Sequence, residues 1–243
     1  MDTRLIYLLT LLPPLPPLGE TPPLTLADTL VLLRQQGGAD LELLAELLDA
    51  EPLLRSSLDE WVVHPPGSRV VPGALPQPLR ALFADELVAG MTEEAWVGAV
   101  RQAYLELLSE AGRRLGSNLL SRWSGWEGDL SLNLARRRAR LLGDRGDAEQ
   151  GPAPEIDPGL EAALSAWSAT RSRSTDAERL GVALEAEVSL DRARLAFLAG
   201  ESPRYSFALD ELVAYLLQLR LLERHQRLDP KRGRALLEEV ATL

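Results

Sequence analysis

The region from Tyr205 to Val240 constrains the fold more than any other part of the chain, because it combines a long apolar helix pattern with a second helix start. A helix that is apolar around most of its circumference must be packed on several sides. Asp229 followed by Pro230 predicts the second helix, since Asp is a favourable N-cap and proline fits the first helical position. The apolar positions recur at spacings of three and four, and further apolar residues widen the stripe: Leu209, Leu212, Leu216, Leu219 and Leu222, with Val213, Leu217 and Leu221.

The composition favours helices over strands along the whole chain. Leu and Ala dominate, Val and Ile are scarce, and only 5% of the residues are aromatic. Side chains that are not branched at Cβ lose little rotamer freedom in a helix, whereas β-branched and aromatic side chains favour strands. A chain of 243 residues is also long enough to bury a substantial core. We therefore predict an all-α protein.

Capping residues and helix breakers divide the chain into predicted helices. The apolar run from Leu5 to Leu12 is too short to distinguish a strand from a first helical turn. Trp123 and Trp126 lie three residues apart on an apolar stripe and are predicted to be core residues. The remaining predicted helices follow Thr25, Asp40, Pro52, Pro78, Thr92, Gly116 and Asp157, with two shorter helices over 176–188 and 190–199.

One stretch of the chain has the composition of a linker or loop. Residues 143–159 mix Gly, Pro, Asp and Glu without an apolar period. This stretch separates an N-terminal helical region with a proline-rich start, residues 1–142, from a C-terminal helical region, residues 160–243. We expect the two regions to form one continuous fold.

Charge and residue types argue against several classes of function. The formal net charge of −10 disfavours nucleic-acid binding, which needs a basic face. The chain has no cysteine, and neither of its two histidines, His64 and His225, lies in a metal-ligand spacing. No glycine-rich phosphate-binding motif or nucleophile elbow is present. We expect no catalytic residues, no metal and no cofactor, and so a protein that is not an enzyme.

No segment approaches the ~20 apolar residues that a membrane-spanning helix needs. The run Leu5 to Leu12 is only eight residues long, prolines follow at once, and no small-residue cleavage site appears, so a signal peptide is not expected. We expect a soluble, cytoplasmic protein that is at most peripheral to the membrane.

An arginine cluster is the one notable basic feature, and it consists of Arg136, Arg137, Arg138 and Arg140. Between Arg113 and Arg145 there are eight arginines and only three acids. The cluster has two interpretations. It is either a contact surface for an acidic partner or anionic headgroups, or a solvated helix end at which cations suit the C-terminal dipole.

Three segments of the chain resemble one bacterial family, whose members are encoded alongside V/A-type ATP synthase subunits. Members of this family are similar to the stalk-cap protein of those rotary ATPases, the helical component that joins the central stalk to the membrane rotor ring. The chain departs from the family pattern at Ala193, Gln218 and His225, and it is shorter than a typical stalk-cap protein. The resemblance rests on Tyr7 to Leu15; on Leu119 to Gly143 with Trp123, Glu127, Asn133 and the arginine-rich end; and on Leu190-Asp191, Phe207, Tyr215, Leu219, Glu223-Arg224, Leu228-Asp229 and Gly233.

The resemblance implies a multi-helix bundle of helical hairpins, like that of the stalk-cap protein, and a function. The expected role is that of a non-enzymatic structural or accessory subunit of a V/A-type rotary ATPase, which links the central stalk to the membrane rotor. The expected partners are the stalk and rotor-ring subunits, and the arginine cluster is the expected contact surface. The alternative is a free cytosolic assembly or regulatory factor for the same ATPase.

Overall fold

The computed structural model describes residues 2–63, 73–83, 92–141, 158–171, 176–202 and 205–228. Within these ranges the regular structure consists of nine α-helices and no strand, which confirms the predicted all-α class. The helices are α1 Thr3–Leu11, α2 Leu26–Gln36, α3 Ala39–Val63, α4 Gln77–Ala81, α5 Glu93–Leu115, α6 Asn118–Leu141, α7 Pro158–Arg171, α8 Asp176–Glu201 and α9 Leu209–Arg227.

The chain divides into two compact units. Unit 1 consists of Met1–Leu26 and Asp129–Leu243, and unit 2 consists of Ala27–Gly128. Most of the predicted linker and the predicted helix after Asp229 lie outside the described residues. The predicted domain boundaries at 143–159 therefore remain predictions.

In unit 2, α2 and α3 follow each other closely. The predicted end of α2 is confirmed, because Gly37 and Gly38 both have positive φ, a conformation that glycine adopts without steric cost. The prediction of two separate helices after Asp40 and Pro52 is wrong, since α3 is one helix that contains Pro52. Proline removes one N–H bond, but the buried leucines continue across it, so packing holds the helix together. These buried leucines are Leu41, Leu44, Leu47, Leu48 and Leu54.

Helix α5 begins as predicted, because the Thr92 hydroxyl accepts a hydrogen bond from the Ala95 N–H at 3.3 Å. The Tyr104 hydroxyl donates to the Leu47 carbonyl at 3.3 Å and thus ties α5 to α3. The sequence pattern placed Val97 on the inner stripe, whereas the neighbouring Trp96 is the buried residue. The Trp96 indole N–H donates to the Leu82 carbonyl at 2.7 Å, which gives this buried polar group a partner.

The turn between α5 and α6 brings the two helices very close together. Gly116 has φ 68° and ends α5, and the Ser117 hydroxyl accepts a hydrogen bond from Leu120 N–H at 3.1 Å. A Cβ at Gly112 would lie 2.9 Å from the Ser121 backbone nitrogen and 3.0 Å from the Ser117 carbonyl oxygen. The two helices can therefore approach this closely only because residue 112 has no side chain.

Replacing Gly112 with Ala is expected to lower the free energy of unfolding. The new methyl group would overpack the α5–α6 contact, at a cost of about 1–3 kcal/mol, which exceeds the ~1 kcal/mol gained in helix propensity. Chemical denaturation measures the net loss. The control is Gly98→Ala on the same helix, where nothing lies within 4 Å of the added Cβ. Gly98→Ala should stabilise by about 0.5–1 kcal/mol, and equal effects of the two variants would contradict the packing argument.

Unit 1 contains the helices with the most pronounced apolar stripes. The predicted core of α7 is confirmed, since Leu160, Leu164 and Trp167 are buried. Of the predicted α9 stripe, every residue except the half-buried Leu209 is buried. The prediction of separate helices over 176–188 and 190–199 is wrong, because α8 is continuous. The Ser189 hydroxyl bonds to the Glu185 carbonyl at 2.9 Å, so this polar residue is accommodated inside the helix.

The N-terminal segment of unit 1 packs on α9. The run from Leu5 to Leu12, which the sequence left undecided, lies mostly in α1, and Leu8 is its buried residue. Glu223 on α9 accepts a hydrogen bond from the Leu26 N–H at 2.6 Å, and the Gln226 amide donates to the Glu20 carbonyl at 3.3 Å. Residues far apart in the sequence are thus joined at the end of α9.

Candidate functional site

The arginine cluster lies in the last turns of α6, in unit 1. The side chains of Arg136, Arg137 and Arg138 are described, whereas for Arg140 only the backbone of the helix is described. Cations at this end of a helix interact favourably with its dipole. The location by itself therefore fits both interpretations of the cluster.

Arg137 connects α6 to α7. Its guanidinium donates to the Ser168 hydroxyl at 3.1 Å and to a carboxylate oxygen of Glu161 at 2.8 Å. The hydrogen bond from Arg137 lowers the pKa of Glu161 below its ordinary value. Arg137 is only 25% exposed at the side chain. This arginine is therefore mainly an internal tie between two helices.

Arg138 also faces α7. Its guanidinium carbon lies 5.6 Å from the centroid of the Trp167 ring, and Trp167 is buried. A cation in this position is attracted by the ring quadrupole, by about 0.5–1 kcal/mol at an exposed site. Two of the four predicted contact arginines therefore take part in the packing of α6 against α7.

Arg136 occupies another side of α6. Successive residues turn by 100° around a helix, so Arg136 shares its face with Leu132 and with position 140, and points away from Arg138. Arg136 is half-buried, and none of the described carboxylates forms a salt bridge with it. The cluster therefore has two parts, one used within unit 1 and one without a described partner. That all four arginines contact a partner remains a prediction.

A second group of charged side chains joins α8 to α9, and the sequence reasoning missed it. Asp191 is 0% exposed and pairs with Arg194 on its own helix at 3.0 Å and with Arg224 on α9. Arg224 also pairs with Glu187 at 2.6 Å. Desolvation raises the pKa of Asp191 above its ordinary value, against the opposing effect of the two arginines. The only sequence signal was the spacing of Glu187, Asp191 and Arg194 on one side of α8.

These charged groups do not form a chemical centre in the described part of the chain. Among the described residues there is no group of three or more His, Asp or Glu side chains that could hold a metal ion. His64 lies outside the described ranges, and His225 lies on α9 close to Gly19. Each arginine of the α8–α9 group has a carboxylate partner, so the arrangement joins helices.

Replacing Arg137 with Met is expected to weaken the α6–α7 contact modestly. Glu161 is 48% exposed, so solvent screens the pair, and the expected loss is about 0.5–1 kcal/mol. Because the folded pKa of Glu161 is lowered, this contribution is present above its ordinary pKa and is lost as the pH falls through the folded value. A double-mutant cycle with Glu161→Gln, measured by denaturation at several pH values, tests this.

The matched control for Arg137→Met is Arg136→Met. Since none of the described carboxylates pairs with Arg136, its replacement should change the free energy of unfolding by no more than about 0.5 kcal/mol. A larger loss from Arg136→Met than from Arg137→Met would show that the two arginines have been assigned the wrong roles.

Comparison of the chain with protein-family models, curated proteins and solved structures found no match. Within the described ranges, none of the helices combines the length and the apolar character that crossing a membrane requires.

Proposed function

We propose that the protein is a non-enzymatic structural or accessory subunit of a V/A-type rotary ATPase, which links the central stalk to the membrane rotor. The observation that carries this proposal is the resemblance of three separate segments to one family encoded with such ATPases: the N-terminal run, the tryptophan- and arginine-containing helix, and the C-terminal apolar helix. All three segments contribute to helices of unit 1 in the described structure.

Two features of unit 1 support a mechanical role. The apolar side chains of α9 are buried around its circumference, and the buried Asp191 joins α8 to α9 through Arg224. Burial of apolar surface holds the helices together, and a hydrogen-bonded charge pair fixes their register. A protein that transmits torque needs helices that do not slide past each other. In this role the protein makes no covalent bond and acts through shape and packing.

In this role the protein lies on the cytoplasmic face of the membrane, held there by other ATPase subunits. Its partners are the stalk and the rotor ring, and no nucleic acid or cofactor takes part. An affinity tag on this chain should recover the ATPase from detergent-solubilised membranes, and conditions that release the stalk should release this chain as well.

The decisive measurement is coupled activity in a strain that lacks the chain. We expect ATP-driven proton pumping to fall while the membrane sector remains assembled. Recovery of an intact complex with full coupled activity would contradict the structural role. Association of the chain with incomplete complexes alone, together with poor assembly in its absence, would instead favour the assembly or regulatory factor.

A further inference from the structure

The face of α6 that carries Leu132 and Arg136 combines an exposed apolar side chain with a cation. Leu132 is 46% exposed, and Arg136 follows four residues later, one turn further along the same face. Position 140 follows at the next turn on this face. Because Arg137 and Arg138 contact Glu161, Ser168 and Trp167 on α7, this helix covers a different side of α6.

The charges around Arg136 make this face unusual in an acidic chain. The chain has 36 acidic and 26 basic residues, and several described arginines have a carboxylate partner. None of the described carboxylates pairs with Arg136, although this side chain is half-buried. Asp129, on the same side, is seven residues away, or about 10 Å along the helix axis. The arginines with a carboxylate partner are Arg4, Arg34, Arg55, Arg113, Arg137, Arg194 and Arg224.

We propose that the Leu132–Arg136 face of α6 receives an amphipathic helix of a partner protein, which carries a carboxylate one turn away from an apolar side chain. Charge complementarity selects this occupant, because a guanidinium without a carboxylate offers a planar fork that binds a carboxylate through two hydrogen bonds. The exposed leucine supplies apolar contact beside that pair. The partner is taken to be a component of the rotary ATPase, so the proposal rests on the proposed function.

Two other occupants of this face are conceivable and are separated by the experiment. One is the acidic stretch of the same chain that follows α6, which contains Asp144, Asp147 and Glu149. The other is a second copy of the chain. In both cases the face would be occupied before the ATPase is met, and binding to the ATPase would not depend on it.

The first test measures the affinity of the full chain for a purified V/A-type ATPase at several salt concentrations. Arg136→Glu and Leu132→Glu should each weaken binding about tenfold or more, which corresponds to ~1.4 kcal/mol. Arg136→Glu should also reduce the dependence of the affinity on salt. The matched controls are Arg114→Glu and Val31→Glu, which change an exposed arginine and an exposed apolar residue elsewhere. Both controls should bind within about threefold of the unaltered protein.

The second test identifies what lies against the face. Because the chain has no cysteine, Leu132→Cys supplies a single attachment point for a photo-crosslinker. Crosslinking to an ATPase helix with a carboxylate one turn from an apolar residue is the expected result. Crosslinking to residues 142–157 of the same chain, or to a second copy, would overturn the proposal.

The outcomes also separate this proposal from the proposed function. If the unaltered protein binds the ATPase and both face variants bind equally well, the docking face is wrong while the proposed function stands. If the unaltered protein does not bind at all, the proposed function fails and the docking face fails with it. Circular dichroism and denaturation midpoints of the variants establish that any loss of binding occurs in folded protein.

Discussion

Replacing Leu216 with Asp should unfold the helices of unit 1 that pack around α9. Leu216 is fully buried in the middle of that helix, and none of its immediate neighbours along the chain offers a cation. A buried carboxylate without a partner costs several kcal/mol, in addition to the lost apolar burial of about 2–3 kcal/mol. The sum is comparable to the total stability of a typical domain. Circular dichroism and thermal denaturation should show lost helix or a midpoint far below that of the unaltered protein.

The control is the same substitution at an exposed leucine. Leu132 is 46% exposed, so Leu132→Asp should change the stability by no more than about 0.5 kcal/mol. Normal thermal stability of the Leu216→Asp variant would show that the apolar stripe of α9 faces solvent, and would contradict the core described for unit 1.

Replacing Arg224 with Met should have the second-largest effect, because it removes a partner of the fully buried Asp191. Removal of one partner from a buried ion pair typically costs 3–5 kcal/mol, and since Arg194 remains, we expect about 3 kcal/mol at neutral pH. Arg227→Met, on the same helix at an exposed position, is the control and should change stability by less than about 0.5 kcal/mol. Denaturant titrations of the two variants measure the difference.

The cost of Arg224→Met should depend on pH in a defined direction. Burial already raises the pKa of Asp191, and Arg224 opposes that increase, so its removal raises this pKa further. A raised folded pKa means that folding favours the protonated carboxyl. The destabilisation should therefore be largest well above this pKa and should shrink as the pH falls through it towards the ordinary value of 3.8. Equal destabilisation at all pH values would contradict the assignment.

A second substitution checks the same mechanism at neutral pH. Asp191→Asn in the Arg224→Met background replaces the charge by a neutral amide, which does not need a cation. We expect the double variant to recover part of the stability lost in the single variant. Further loss in the double variant would mean that Asp191 serves mainly as an anchor for Arg194.

The helices of this chain were predictable where the pattern is local. The stripes of α7 and α9, and the core positions of Trp123 and Trp126, follow from spacings of three and four that any amphipathic helix must have. The caps at Thr92 and Gly37 were equally readable, because they depend only on neighbouring backbone groups. These features need no knowledge of the rest of the fold.

The errors arose where packing overrides local preference. Pro52 reads as a helix start, yet α3 continues through it because buried leucines lie on both sides. Trp96 is buried in place of Val97 because its indole reaches the Leu82 carbonyl, which a local pattern does not reveal. Asp191 and Arg224 lie on different helices, 33 positions apart, so spacing along the chain gave no sign of their pairing.

The candidate site was predictable as a cluster but not in its division. The sequence shows four arginines at a helix end, and helical geometry separates Arg136 from Arg138. That Arg137 and Arg138 face α7 depends on where Glu161 and Trp167 lie in space, which periodicity does not give.

The hydrogen bonds from Leu26 and Glu20 to the end of α9 have a consequence for synthesis of the protein. Unit 1 contains both the first residues and the last helices, whereas unit 2 is encoded between them. On a ribosome that adds ~5–20 residues per second, α1 waits roughly 10–40 seconds for α9 to emerge. During that time the residues of unit 2 are already available for folding, while the apolar side chains of α1 lack the surface that later covers them. A nascent-chain chaperone would therefore find its most persistent target at the N-terminus.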